Sequence, residues 1–169
     1  MKAKDIAIAG FSAVLIGILA YVWFTPSGLK AAPDIEVTTL QGETLALNSL
    51  QGRPVLVTFW ATTCPGCIKE MPHLVELYNE LGPQGLEIVG LAMAYDPEEQ
   101  VREMVKLKQL PYPIALDRDG SAARAFGDVK LTPTTFLISP QGRIVQQKLG
   151  EMDMNALHNR ILGMLQNRG

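Results

Sequence analysis

Cys64 and Cys67 are the only cysteines in a chain of 169 residues, and they stand three positions apart. Thiols at that spacing can exchange electrons as a dithiol/disulfide couple, staple a loop, or hold a soft metal ion. A staple across so short a loop removes little unfolded-chain entropy, because that stabilisation grows with loop length. A structural zinc site takes about four ligands, commonly from two such pairs, and no second pair exists. The two histidines, His73 and His158, lie at unrelated positions and are expected on the surface. A Cu(I) site on the two thiolates remains an alternative, since soft sulfur selects that ion. The flanking residues favour redox exchange: a lone Cys-x-x-Cys between a strand pattern and a helix pattern in a βαβ context reads as a redox motif.

Those flanks set the geometry. Pro54-Val55-Leu56-Val57-Thr58-Phe59-Trp60 is a β-branched and aromatic run that reads as a buried strand. Pro65 suits the first turn of a helix, where its missing N–H is no loss. A strand therefore delivers Cys64 to a helix start, where free N–H groups and the positive end of the macrodipole favour a thiolate. The helix is expected to run to about Leu81, before Gly82-Pro83, with Ile68, Met71, Leu74, Val75 and Tyr78 inward and a kink at Pro72. Leu86 to Met93 reads as a second buried strand, which completes a parallel βαβ unit.

Around this unit, Ile35–Thr38 and Glu43–Leu47 flank Gln41-Gly42 as a β-hairpin. Asp96-Pro97-Glu98-Glu99 reads as a helix start with Asp96 as N-cap and Glu99 completing a capping box. A short strand at Ile114–Leu116 and a small helix capped by Ser121 follow. Thr134–Ile138 and Arg143–Lys148 form an antiparallel hairpin after Thr132-Pro133, and a last helix starts at Asp153 and buries Leu157, Ile161, Leu162 and Leu165.

At the N-terminus, Ile6 to Phe24 runs nineteen residues without a charge. At about 1.5 Å per residue it matches a hydrocarbon core of ~30 Å. Lys2 and Lys4 precede it and the next cation is Lys30, so the positive-inside bias places the N-terminus in the cytoplasm and the rest across the membrane. A cleaved signal peptide is the competing reading, although the run exceeds the usual apolar length and lacks a clean cleavage site. The expected organisation is a transmembrane anchor at 1–24, a linker at 25–33 and one domain at 34–169. Either reading puts the cysteines in an extracytoplasmic compartment, where disulfide chemistry belongs. The net charge of −2, with its cations scattered, gives no basis for nucleic-acid binding.

The order of elements from Pro33 to Gln166 resembles the thioredoxin fold, and is most similar to the TlpA/ResA-like membrane-anchored thiol–disulfide oxidoreductases. The resemblance rests on Phe59-Trp60-Ala61-Thr62 before the cysteines and Glu70-Met71-Pro72 after them. The insert before Asp117-Arg118-Asp119-Gly120 and the stretch Thr132-Pro133-Thr134-Thr135-Phe136-Leu137-Ile138 complete it. It implies an α/β thioredoxin-like domain with an N-terminal hairpin and an inserted helix, preceded by one transmembrane helix. It also implies that Cys64 attacks a substrate disulfide and Cys67 resolves the mixed disulfide, without a cofactor. Pro133 would be the family's cis-proline, with Thr132 presenting its backbone to substrate; an ordinary trans turn proline is the alternative. Trp60 would form part of the surface around Cys64, unless it is a core aromatic.

Two departures bear on the chemistry. Thioredoxins proper carry a buried Asp where this chain has Thr58, so another acid must move the proton if a relay is needed. Glu70 is the candidate, against a solvated helix face, and Glu87 and Asp96 are weaker ones. Between the cysteines stands Pro65-Gly66, with no histidine to stabilise a thiolate, which leans the couple towards a reductant. The implied partners are proteins with disulfides, such as apocytochrome c or a copper-site protein, and a membrane thiol donor of the DsbD/CcdA kind, with an inner-membrane location. The alternatives are a disulfide oxidant and a Cu(I) carrier. A peroxiredoxin needs Pro-x-x-x-Thr-x-x-Cys, and Val57 and Ala61 occupy those positions.

Overall fold

A computed structural model describes residues 30–167. The expected transmembrane segment at Ile6–Phe24 lies outside them, and no helix among the described residues is long and apolar enough to cross a membrane. The described chain forms strands β1 (Glu36–Thr38), β2 (Thr44–Ala46) and β3 (Val55–Trp60), helix α1 (Pro65–Leu81) and strand β4 (Glu87–Ala92). Helix α2 (Glu98–Lys108), β5 (Ile114–Leu116), α3 (Ser121–Ala125), β6 (Thr134–Ile138), β7 (Ile144–Leu149) and α4 (Met154–Gln166) follow. One five-stranded sheet has the order β5-β4-β3-β6-β7, and β1 and β2 pair as a separate antiparallel hairpin. β3 is parallel to β4 and antiparallel to β6. This is a thioredoxin-like α/β fold.

The sheet is sandwiched, because every residue of β3 and β6 is buried and alternate side chains enter opposite cores. Leu56 and Trp60 join Met71, Leu74, Leu81, Leu157 and Ile161 on the side of α1 and α4. Val57 and Phe59 join Phe126 and Phe136 on the other side, where the three rings pack together at tilted to edge-on angles.

Several local expectations change. The core stripe of α1 runs through Cys67, Glu70, Met71, Leu74, Leu77 and Leu81. Val75 and Tyr78 sit at its margin, because the stripe starts from Cys67 rather than Ile68. Pro72 lies inside α1 on its exposed face. Asp96 does not cap α2: the N-cap is Pro97 and makes no side-chain cap bond. Nor does Ser121 cap α3. Asp117, 3% exposed, accepts from the Ala122 and Ala123 amides at 2.9 and 2.8 Å instead. Folded chain also begins before Asp34. Ala31 bridges Arg143, with Ala32 N donating to Gly142 O and Ile144 N to Lys30 O. That contact sits at the Val55 end of the sheet, because Ile144 pairs with Ile138 and Ile138 with Val55.

Asp117 satisfies two amides at a helix start, so its removal leaves them unpaired in a buried place. Asp117→Ala should destabilise the protein by about 2 kcal/mol. Chemical denaturation of the full chain in detergent, followed by circular dichroism, checks this, and the dithiol/disulfide equilibrium should not move.

Candidate redox site

β3 ends at Trp60, and the turn Ala61-Thr62-Thr63 is closed by a bond from Cys64 N to Ala61 O at 3.1 Å. Cys64 is the N-cap of α1 in extended conformation, and its Sγ accepts from Cys67 N at 3.1 Å. Pro65 follows at the first helical position. The two sulfurs form a disulfide, so the structure is the oxidised state. Cys64 is 8% exposed and Cys67 3%. The arrangement leaves the outer sulfur at a helix N-terminus, where a thiolate released on reduction meets N–H donors.

Pro133 comes from the other side. The Thr132–Pro133 peptide bond is cis. Pro133 Cδ lies 3.5 Å from where a Cβ on Gly66 would stand, so the proline packs against the dipeptide between the cysteines. Gly150 N donates to Pro133 O at 2.9 Å, tying the end of β7 to this loop. Thr132 is partly exposed beside it. Trp60 does not form surface around Cys64. It is 3% exposed in the core, because it ends a strand buried on both faces, and its Nε1 has no hydrogen-bond partner.

Glu70 is buried rather than solvated. It follows Cys67 by three residues on the inward stripe of α1, and one oxygen accepts from Met152 N at 2.7 Å. Burial pushes its carboxyl up; the Met152 bond opposes this, Glu151 adds to it, and His73 opposes it. Glu70 lines a cavity of about 10 Å³ together with Cys67, Thr58, Trp60, Tyr112 and Pro133. A single water needs roughly that volume. Burial, and then the Glu70 charge, also push the Tyr112 hydroxyl up. At the thioredoxin Asp position, Thr58 Oγ1 pairs with Thr135 Oγ1 at 3.0 Å, which is neutral and closed.

Neither of the other two acids lines that cavity. Glu87 pairs with Arg53 and faces Val55 in the register, at the opposite end of the sheet from the cysteines. Asp96 binds Thr62 N at 2.7 Å and the Thr62 hydroxyl. His73 and His158 line one groove with Glu76 and Glu80 between α1 and α4. No group of three or more His, Cys, Asp or Glu among the described residues could hold a metal ion. A larger cavity of about 260 Å³, lined by Ala32, Asn48, Gln51 and Ser139 among others, opens at the far pole and touches neither cysteine.

Sequence reasoning missed Tyr112, Thr135 and the Met152 amide. For the burial of Glu70 a signal was present: the stripe Cys67, Met71, Leu74 passes through it.

A thioredoxin-like sheet with a Cys-x-x-Cys disulfide at a helix N-terminus defines a thiol–disulfide oxidoreductase. The sequence model of the AhpC/TSA family matches residues 29–147. The thiol–disulfide oxidoreductase ResA of Bacillus thuringiensis subsp. konkukian is 37% identical over 128 residues, covering 76% of this chain and 73% of its own. The solution structure of a Neisseria meningitidis protein described as a thioredoxin superposes with a TM-score of 0.76 at 34% identity, over 82% of this chain and 92% of that one. A thioredoxin-family thiol:disulfide interchange protein of Chlorobium tepidum gives 0.75 at 25%, over 83% and 99%. The chain belongs to the AhpC/TSA family and, within it, to the ResA-like thiol–disulfide oxidoreductases. It carries no peroxiredoxin motif, since the positions of that motif's Pro and Thr hold the buried Val57 and Ala61.

The raised Glu70 carboxyl makes stability depend on pH. A folded-state value above the unfolded one stabilises fully below the unfolded value, and the contribution is lost as pH rises through the folded one. Glu70→Gln keeps an acceptor for Met152 N and cannot ionise. Its stability relative to wild type should therefore increase from pH 4 to pH 8. Denaturant midpoints of both oxidised proteins across that range check the sign.

Proposed function

We propose that the protein reduces disulfides of extracytoplasmic proteins, with Cys64 the attacking thiol and Cys67 the resolving one. The observation that carries this reading is Cys64 at the N-cap of α1, its sulfur accepting the Cys67 amide and the residue more exposed than Cys67. The Cys64 thiolate attacks a substrate sulfur, forming a mixed disulfide and releasing one substrate thiol. Cys67, deprotonated, then displaces the second substrate thiol and forms the Cys64–Cys67 disulfide. Two electrons and two protons pass to the substrate. Glu70, in the same small cavity as Cys67 and raised by burial, takes the Cys67 proton in that second step.

The reducing direction is supported by what surrounds the sulfurs. A dithiol becomes oxidising when its thiolate is stabilised, and the thioredoxin and DsbA potentials differ by roughly 150 mV. Here no histidine stands between the cysteines, and Lys69 is paired with Glu151 at 2.7 Å. Two buried carboxylates, Glu70 and Asp96, belong to the site. Thr132 and the cis Pro133 offer the substrate chain a backbone edge beside Gly66. Ile6–Phe24 anchors the domain in the inner membrane with the N-terminus cytoplasmic. A membrane thiol carrier of the DsbD/CcdA kind supplies electrons, and apocytochrome c or copper-site protein thiols receive them.

The test is the equilibrium of Cys64–Cys67 with dithiothreitol, measured on the full chain in detergent. A potential near that of thioredoxin supports the reductase. One near DsbA overturns the direction, and no reversible couple overturns the exchange reading. Cys67→Ser should trap a mixed disulfide through Cys64. Glu70→Gln should slow release of that intermediate at pH 7 by at least about tenfold, read by stopped-flow fluorescence.

A further inference from the structure

We propose that Asp96 is a positioning residue for Cys64: it clamps the turn that carries the attacking thiol and holds its carboxylate on that turn, two residues before the cysteine. The inference rests on Cys64 being the attacking thiol. Asp96 stands where an ordinary helix start would use it as the cap, ahead of Pro97, Glu98 and Glu99. The helix forgoes that bond. Both carboxylate oxygens are instead taken by one residue across the sheet end. Oδ2 accepts from Thr62 N at 2.7 Å, and Oδ1 from the Thr62 hydroxyl. Gln100 Oε1 stands 3.3 Å from the same hydroxyl. The loop that carries Asp96 is itself fixed, by Met93 N on Trp60 O at 3.0 Å and Asp96 N on Met93 O at 2.9 Å.

Thr62 lies two residues before Cys64 in the turn closed by the Cys64 N to Ala61 O bond. Two charge-assisted bonds to one rigid residue restrict that turn, and with it the direction from which Cys64 meets a substrate sulfur. Asp96 is 5% exposed. No ion pair among the described residues neutralises its charge. A like charge near a thiolate disfavours it, which keeps the dithiol form reactive as a reductant.

The experiment separates charge from geometry. Asp96→Asn keeps the shape and can still bond Thr62 N and the hydroxyl, but lacks the charge. Asp96→Ala removes the clamp, and Thr62→Val removes only the hydroxyl bond, which keeps a readout if the alanine variant does not fold. Wild type and variants, as full chains in detergent, are equilibrated with dithiothreitol, and Cys64 alkylation is followed against pH. Asp96→Asn should shift the equilibrium towards the dithiol by about three- to tenfold and move the alkylation profile to lower pH. Thr62→Val should slow reduction of a peptide disulfide by about threefold or more with a much smaller change in that equilibrium. An Asp96→Asn equilibrium and profile within twofold of wild type overturn the charge role. An unchanged peptide rate in Thr62→Val, or in a folded Asp96→Ala, overturns the clamp. A wild type with no reversible couple overturns the reductase reading and this inference together, whereas a reversible wild-type couple with unresponsive variants overturns only the latter.

Discussion

The site depends on one junction, the passage from the buried strand β3 to the exposed start of α1. β3 is hydrogen-bonded on both sides and buried on both faces, so its end cannot wander. The chain must then satisfy the free amides of a helix N-terminus, and Cys64 does so with its sulfur. A side chain that caps a helix is normally a hard oxygen. Using sulfur couples the cap to the redox state, because the atom that takes the amide bond is the atom that changes charge on reduction. The helix field and the Cys67 N–H thus act on the reacting centre without a dedicated cation.

Two buried acids bond on either side of the cysteines in sequence terms, Asp96 to Thr62 and Glu70 from α1 to Met152, and their bonding separates their roles. Asp96 engages an amide and a hydroxyl with both oxygens, which holds the shape of the turn. Glu70 accepts one amide and lines a cavity of about 10 Å³ shared with Cys67, so burial dominates and its proton is held longer. Thr58 and Thr135 bind each other and leave no ionisable group on the strand floor. The acid that can titrate next to Cys67 therefore sits on the helix rather than in the sheet.

Much of this was legible in the sequence, because strand and helix periodicity speak for themselves where packing is continuous. The run from Val55 to Trp60, the helix from Pro65 to Leu81 and the antiparallel pair after Pro133 fall where apolar spacing puts them. Failures occurred where a polar side chain had two possible partners. Asp96 and Ser121 both stand at sequence-perfect caps, yet tertiary donors took Asp96, and Asp117 reached the α3 amides first. Capping rules weigh only local partners, and nothing in the sequence states that Thr62 would lie opposite. Trp60 misled for a related reason. It stands only four residues before Cys64, but its strand position turns the indole into the core.

The path of the described N-terminal segment bears on how the site is approached. Lys30 to Ala32 runs beside Gly142 to Ile144, at the Val55 end of the sheet, whereas Cys64 follows the Trp60 end. A six-residue strand at about 3.3 Å per residue separates these ends by roughly 20 Å. Chain entry and redox chemistry thus lie at opposite poles of one rigid sheet. The pole that carries Cys64, Thr132 and Pro133 is not covered by this segment. Only residues 25–29 lie between the proposed anchor and Lys30. Any tether that enters at Lys30 therefore joins the domain at the pole opposite the disulfide.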